Sequence, residues 1–176
     1  MTILDIRVFS RLRRNHGLEH ATINILSRGR PGSSTGQRFP SRPLAGYSHP
    51  GGFFILGDIP TADLREAISQ ALARMMNGEG SLAIHDHCGT NFVASGFVAG
   101  LLAWLGMAGA KSKRDKVERL PLVIALATFG FIASLPLGPV LQKRITTSGD
   151  PQELSILDVI PMKIGQISLH RVITQG

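Results

Sequence analysis

Five residues near the start of the chain, His16-Gly17-Leu18-Glu19-His20, have the types and the spacing of a metal centre. In a helix, residues three and four apart share a face, so His16, Glu19 and His20 project together. Two imidazoles one turn apart can grip a single zinc ion, and a carboxylate beside them can take a proton from a metal-bound water. This H-x-x-E-H order is the inverted zincin arrangement, in which Glu19 is the catalytic base and not a ligand. Alone the pattern has little specificity, because polar residues on a solvated helix face read the same way.

A second constellation sharpens it. His85-x-x-Cys88 sets another imidazole and the only thiol of the chain on one turn, with His87 between them as a competing ligand. Neutral imidazole and thiolate are both good zinc ligands. His16, His20, His85 and Cys88 are therefore the candidate metal ligands. The lone cysteine also excludes an internal disulfide. Glu79, His49, His170 and Asn15 rank lower: a surface turn carboxylate, two structural or exposed histidines, and a donor behind the first motif.

The elements that must position these residues read as follows. Residues 10–28 form a helix stopped by Gly29. Residues 28–51 are a Gly/Pro/Ser/Arg-rich loop without periodicity. Gly52 to Leu56 is a short strand. A helix capped by Thr61 follows, with Leu64, Ala67, Ile68, Ala71, Leu72 and Met75 on one face and Asn77-Gly78 at its end. Ser81 to Ile84 is a second strand that delivers His85.

Two uncharged runs then dominate. Residues 92–110 carry no charge over 19 positions and residues 120–141 none over 22. A bilayer core of roughly 30 Å takes about 20 apolar helical residues, so each run is long enough to span it. A chain of 176 residues could not bury two such helices in a soluble core. Gly96 and Gly100, with Ala127, Gly130 and Ser134 on the second run, allow close helix packing. They serve either the hairpin or a homodimer through Gly96/Gly100. The expected architecture is α+β: a small mixed helix/strand domain at the membrane surface over 1–90, a transmembrane hairpin over 91–141, and a polar tail with weak strands over 142–176.

The formal charge of +7 raises nucleic acid as a partner. Its distribution excludes that: five basic residues fall in the connection at 111–119, and Lys143 and Arg144 follow the second run, where membrane proteins carry them. The basic connection favours a cytoplasmic turn. The absence of an expected secretory signal and the single thiol favour a cytoplasmic site domain, and that is the reading taken.

HGLEHAT (16–22), GFFILGD (52–58), NGEGSLAIH (77–85) and CGTN (88–91) ahead of two apolar spans resemble the bacterial membrane family called domain of unknown function 6391. The HGxEH helix with a later H-P-x-C-G-T turn is also similar to domain of unknown function 1385, described as predicted metal-dependent membrane enzymes. The resemblance covers roughly residues 15–27 and 52–145. Carried over position by position, it points to His16, Glu19, His20, His85 and Cys88. Asp86 stands where the second family has proline, which alters the turn.

Three functions follow as expectations. The first is a zinc-dependent hydrolase at the membrane interface, with a lipid or membrane-protein substrate or partner and Glu19 as base. The second is a scaffold or assembly factor with a closed structural His/Cys site. The third is a metal-free Cys/His hydrolase with Cys88 as nucleophile.

Overall fold

The computed structural model describes residues 7–28 and 44–176. The element order is α1 (Arg7–Arg28), β1 (Ala45–His49), β2 (Gly52–Leu56), α2 (Thr61–Met76), a 3₁₀ turn (Gly80–Ala83), α3 (Gly89–Met107), α4 (Lys113–Ser134), α5 (Leu137–Leu141), a π-helical turn (Gln142–Thr146), β3 (Ser155–Ile164) and β4 (Ile167–Gln175). These divide into two compact units, one of Met1–His85 with Lys143–Gly176 and one of Asp86–Gln142.

The first unit is a four-stranded antiparallel sheet in the order β1-β2-β4-β3 with α1 and α2 packed on it. Alternation along the strands sends Phe53 and Ile55 of β2 and Val172 of β4 to the face the helices cover, where they are fully buried. Leu18, Ala21 and Ile25 of α1 and Leu64, Ile68, Ala71 and Met75 of α2 complete that core. The tail is thus not separate. Phe53 pairs with Val172 and Ile55 with His170, so strands on either side of the inserted apolar segment build one sheet.

Three local expectations change. Part of the 28–51 loop lies outside the described residues, but its end forms β1, paired with β2 from Ala45↔Leu56 to His49↔Gly52. Ser81–Ile84 is not a strand: Leu82 N–H donates to Glu79 O and Ile84 N–H to Ser81 O, closing a 3₁₀ turn. Thr61 is the first helical residue rather than the cap, and Pro60 precedes it without a side-chain cap. The Thr61 hydroxyl lies 3.0 Å from His170 Nε2 and so ties α2 to β4.

In the second unit, α3 and α4 are long and apolar enough to cross a membrane. They pack on each other, yet large apolar side chains along both are open: Phe97 is 71% exposed, and Val93, Trp104, Ile124 and Phe129 are similar. The basic connection is mostly helical. Ser112 Oγ accepts from Asp115 N–H, and Asp115 Oδ2 accepts from Ser112 N–H, a reciprocal cap that starts α4 at Lys113. The second run breaks after Ser134, since Pro136 and Pro139 lack the N–H a continuing helix needs. Asn91 Oδ1 accepts from Gln142 Nε2 at 2.6 Å and lies against Gly138.

Of the expected packing glycines, Gly130 lies in the contact between α3 and α4, and Gly96 and Gly100 do not. A Cβ on Gly96 or Gly100 would meet nothing within 4 Å, whereas one on Gly130 would lie 2.8 Å from Leu102 Cδ1 and 3.2 Å from Ala99 Cα. Gly106 is equally closed, against Leu126 and Val123. Gly130→Leu is expected to destabilise the purified protein by about 1–3 kcal/mol through overpacking, while Gly96→Leu leaves its melting temperature unchanged. Equal effects would show that the hairpin contact is different.

Burial holds the His170 imidazole below its ordinary 6.5. The folded state therefore binds fewer protons there than the unfolded chain. This contribution is full above the unfolded pKa and is lost as pH falls through that value towards the depressed one. Melting of the wild type should drop more than that of His170→Gln between about pH 7.5 and pH 5; parallel profiles would remove His170 as the cause.

Candidate metal centre

The helix α1 brings His16, Glu19 and His20 to one region, as its spacing requires. The ring centroids of His16 and His20 are 4.3 Å apart, and their ligating atoms lie within 4.8 Å. Two nitrogens on one tetrahedral zinc stand about 3.4 Å apart, so a small ring rotation would suffice to share an ion. His85, delivered by the 3₁₀ turn and not by a strand, sets its ring centroid 5.7 Å from that of His20.

Each ring is oriented by an oxygen. His16 Nδ1 is 2.9 Å from Thr146 O, His20 Nδ1 is 2.8 Å from Ala83 O, and His85 Nδ1 is 3.0 Å from Asn24 Oδ1. Carbonyl and amide oxygens only accept, so each imidazole donates from Nδ1, which makes Nε2 the ligating atom whenever the ring is neutral. This is the outer hydrogen bonding that metal-bound histidines use. Asn24 is itself fixed, donating Nδ2 to Leu82 O at 3.0 Å and Ile84 O at 2.9 Å.

Gly17 explains the small residue inside the motif. A Cβ there would sit 2.1 Å from Ser148 O, so only glycine lets this face of α1 close on the segment that supplies Thr146 O. Ser148 N–H donates to Arg13 O at 2.9 Å across the same contact.

Glu19 is nearly inaccessible, at 3% exposure. It accepts a short hydrogen bond from the Ser48 hydroxyl on β1 and lies against Gly46, where a Cβ would be 2.0 Å from its Oε1. Burial pushes its carboxyl above the ordinary carboxylate range, against the opposing pull of the Ser48 hydroxyl and the charge of His16.

Cys88 is the residue before α3 and belongs to the second unit, with Asp86 and His87 forming the turn that leads to it. Asn15 is not beside the rings. It is fully buried, donates Nδ2 to His49 O at 2.9 Å and accepts from Thr174 Oγ1 at 2.7 Å, joining α1 to the β1–β2 turn and β4. His49 ends β1 and accepts from Gly51 N–H. Glu79 pairs with Arg74 on the surface. Asn24, Ser48 and Gly46 were not anticipated. Of these only Asn24 had a sequence signal, since it continues the His16, His20 stripe by one more turn.

Fold and site together define an α+β protein with an inserted apolar hairpin and an ordered histidine cluster. The chain belongs to the family described as domain of unknown function (DUF6391), which matches residues 11–159. It is 32% identical over 140 residues to an uncharacterised protein of Picosynechococcus sp., an alignment covering 78% of this chain and 66% of that one. No solved structure matches.

Gly17→Ala should lower the melting temperature by several degrees or leave the protein insoluble, because the opposing atom is backbone and has no rotamer to move. A variant as stable as the wild type would mean that α1 does not close on Ser148.

Proposed function

We propose that this is an integral membrane protein with a zinc-dependent, hydrolase-like centre. His16, His20 and His85 bind the metal through Nε2, and Cys88 is a further ligand or neighbour. The observation that carries the reading is that three imidazoles near one another each spend Nδ1–H on an oxygen acceptor. Metal-bound histidines are held in this way, with the second ring nitrogen fixed by an oxygen acceptor. Cys88 follows His85 by three residues, which span at most about 11 Å, so the chain itself keeps the thiol within reach. Likeness of the HGLEH helix to domain of unknown function 1385 points the same way.

Zinc supplies a lower pKa to bound water and polarises a carbonyl. Glu19, three residues after His16, is the proton acceptor. Its buried carboxyl has a raised proton affinity, which suits a base working near neutral pH. Ser48 holds it in one orientation. A closed structural site is the second reading, favoured by the small exposure of Glu19.

The exposed apolar side chains on α3 and α4 support their placement in a bilayer. Because β2 and β4 pair, the strands before and after the hairpin lie on one side of any membrane it crosses. The cytoplasmic side suits a lone thiol. A substrate or partner held in the lipid is then within reach of the centre.

Elemental analysis of purified protein should find about one zinc per chain, lost in His16→Ala and His85→Ala, with Asn24→Ala weakening it by about 10–100-fold. Metal retained in both histidine variants would end the proposal. Glu19→Gln should keep its zinc and lose hydrolysis of membrane esters or amides by at least about a hundredfold. Unchanged function with zinc bound would instead assign the closed structural site.

A further inference from the structure

The opposite side of α1 carries a different chemistry. Arg7, Arg11 and Arg14 are spaced four and three residues apart and line one cavity of about 450 Å³ in the first unit, with Glu153 and Gln175 on its wall. On a helix these three cluster about half a turn away from His16 and His20, so this is a separate surface from the metal centre.

Three guanidiniums share this wall with one side-chain carboxylate, that of Glu153, and with Gly176. Among the described residues none of the three guanidiniums forms an ion pair, although Glu153 is in the same wall. Arg11 Nη2 donates to Thr174 O at 3.3 Å and Arg14 Nη1 to Gln152 Oε1 at 3.1 Å, both neutral acceptors. Arg14 is only 9% exposed, and its buried Nε, like that of Arg11, has no acceptor among the described residues. A guanidinium keeps its charge on burial, and an anion compensates its desolvation better than neutral acceptors do. Three planar forks round one cavity suit a tetrahedral oxyanion, which accepts several charge-assisted hydrogen bonds at once.

We infer that Arg7, Arg11 and Arg14 form a binding site for a phosphate group. Both the headgroup of an anionic phospholipid and free phosphate present that chemistry. Arg14 and Arg11 form its floor, already oriented by Gln152 and Thr174, and the exposed Arg7 closes over the ligand from the start of the helix.

The test is calorimetric titration of the full-length protein with inorganic phosphate, in nanodiscs of phosphatidylcholine alone and in nanodiscs containing phosphatidylglycerol. In phosphatidylcholine the wild type should bind phosphate saturably. Arg11→Gln and Arg7→Gln should each weaken it by about tenfold or more, as loss of a charge-assisted hydrogen bond does. Lys163→Gln, which removes the same charge from the β3–β4 hairpin, should leave it unchanged. Arg7 is exposed, so its substitution reports on binding even if changes deeper in the cavity impair folding. Suppression of phosphate binding by phosphatidylglycerol would identify the headgroup as the occupant, and equal binding in both discs would identify free phosphate. Absence of saturable binding together with no retention of phosphatidylglycerol would overturn the inference, as would equal weakening by Lys163→Gln. Zinc content, read on the same samples, shows whether the metal centre is intact.

Discussion

Pairing of β2 with β4 is the constraint on which the rest of the first unit depends. Gly52 to Leu56 and Leu169 to Ile173 are separated in sequence by the whole apolar hairpin, yet they hydrogen-bond as neighbours in the centre of one sheet. Phe53 and Val172 meet there under the helices, and β1 and β3 are the edge strands, each paired with one of the central strands. Without this pairing, α1 would lose the surface against which Leu18 and Ala21 pack, and with it the geometry of the residues between them.

That dependence reaches the histidines through backbone rather than through side-chain packing alone. Thr146 O and Ala83 O come from the two ends of the segments that flank the hairpin, and both are used to orient rings on α1. One helix thus presents the His16 and His20 imidazoles to one side and Arg7, Arg11 and Arg14 to another, with oxygens of distant strands and turns orienting both rings, Arg11 and Arg14. Asn15 performs the equivalent service between them, satisfying groups of the β1–β2 turn and β4 with one fully buried amide. Polar groups of this kind are costly when partly satisfied and rigid when fully satisfied.

The sequence made the helices and the histidine stripe legible, because both depend on local periodicity. Residues 10–28, the apolar face from Leu64 to Met75 and the first uncharged run appear within three residues of the expected bounds, whereas the helix of the second run lies over Lys113–Ser134, seven residues earlier at each end. Elements whose existence depends on distant partners were not legible. β1 lies at the end of a Gly/Pro/Ser/Arg-rich tract and owes its form to β2. Ser81–Ile84 has the apolar content of a strand, yet it joins no strand of the sheet and closes on itself as a 3₁₀ turn. Gly96 and Gly100 have the spacing of a packing motif, and the rotation of α3, which sequence does not encode locally, turns them away from α4. Ser48 and Gly46 were invisible for the same reason, since nothing near them announces a carboxylate carried on another element.

Insertion of the hairpin within the sheet also dictates an order of events during synthesis. The strand that completes the centre of the sheet begins at Ile167, after both apolar helices have emerged. Until then β2 has an unpaired edge and α1 an uncovered apolar face, whatever has been made before them. Closing a loop this long is slow compared with forming either helix. The hairpin therefore finds its environment first, and the imidazoles acquire their final orientation among the last steps of folding. A chain interrupted before Ile167 would hold the whole HGLEH motif and still lack the framework that aligns it.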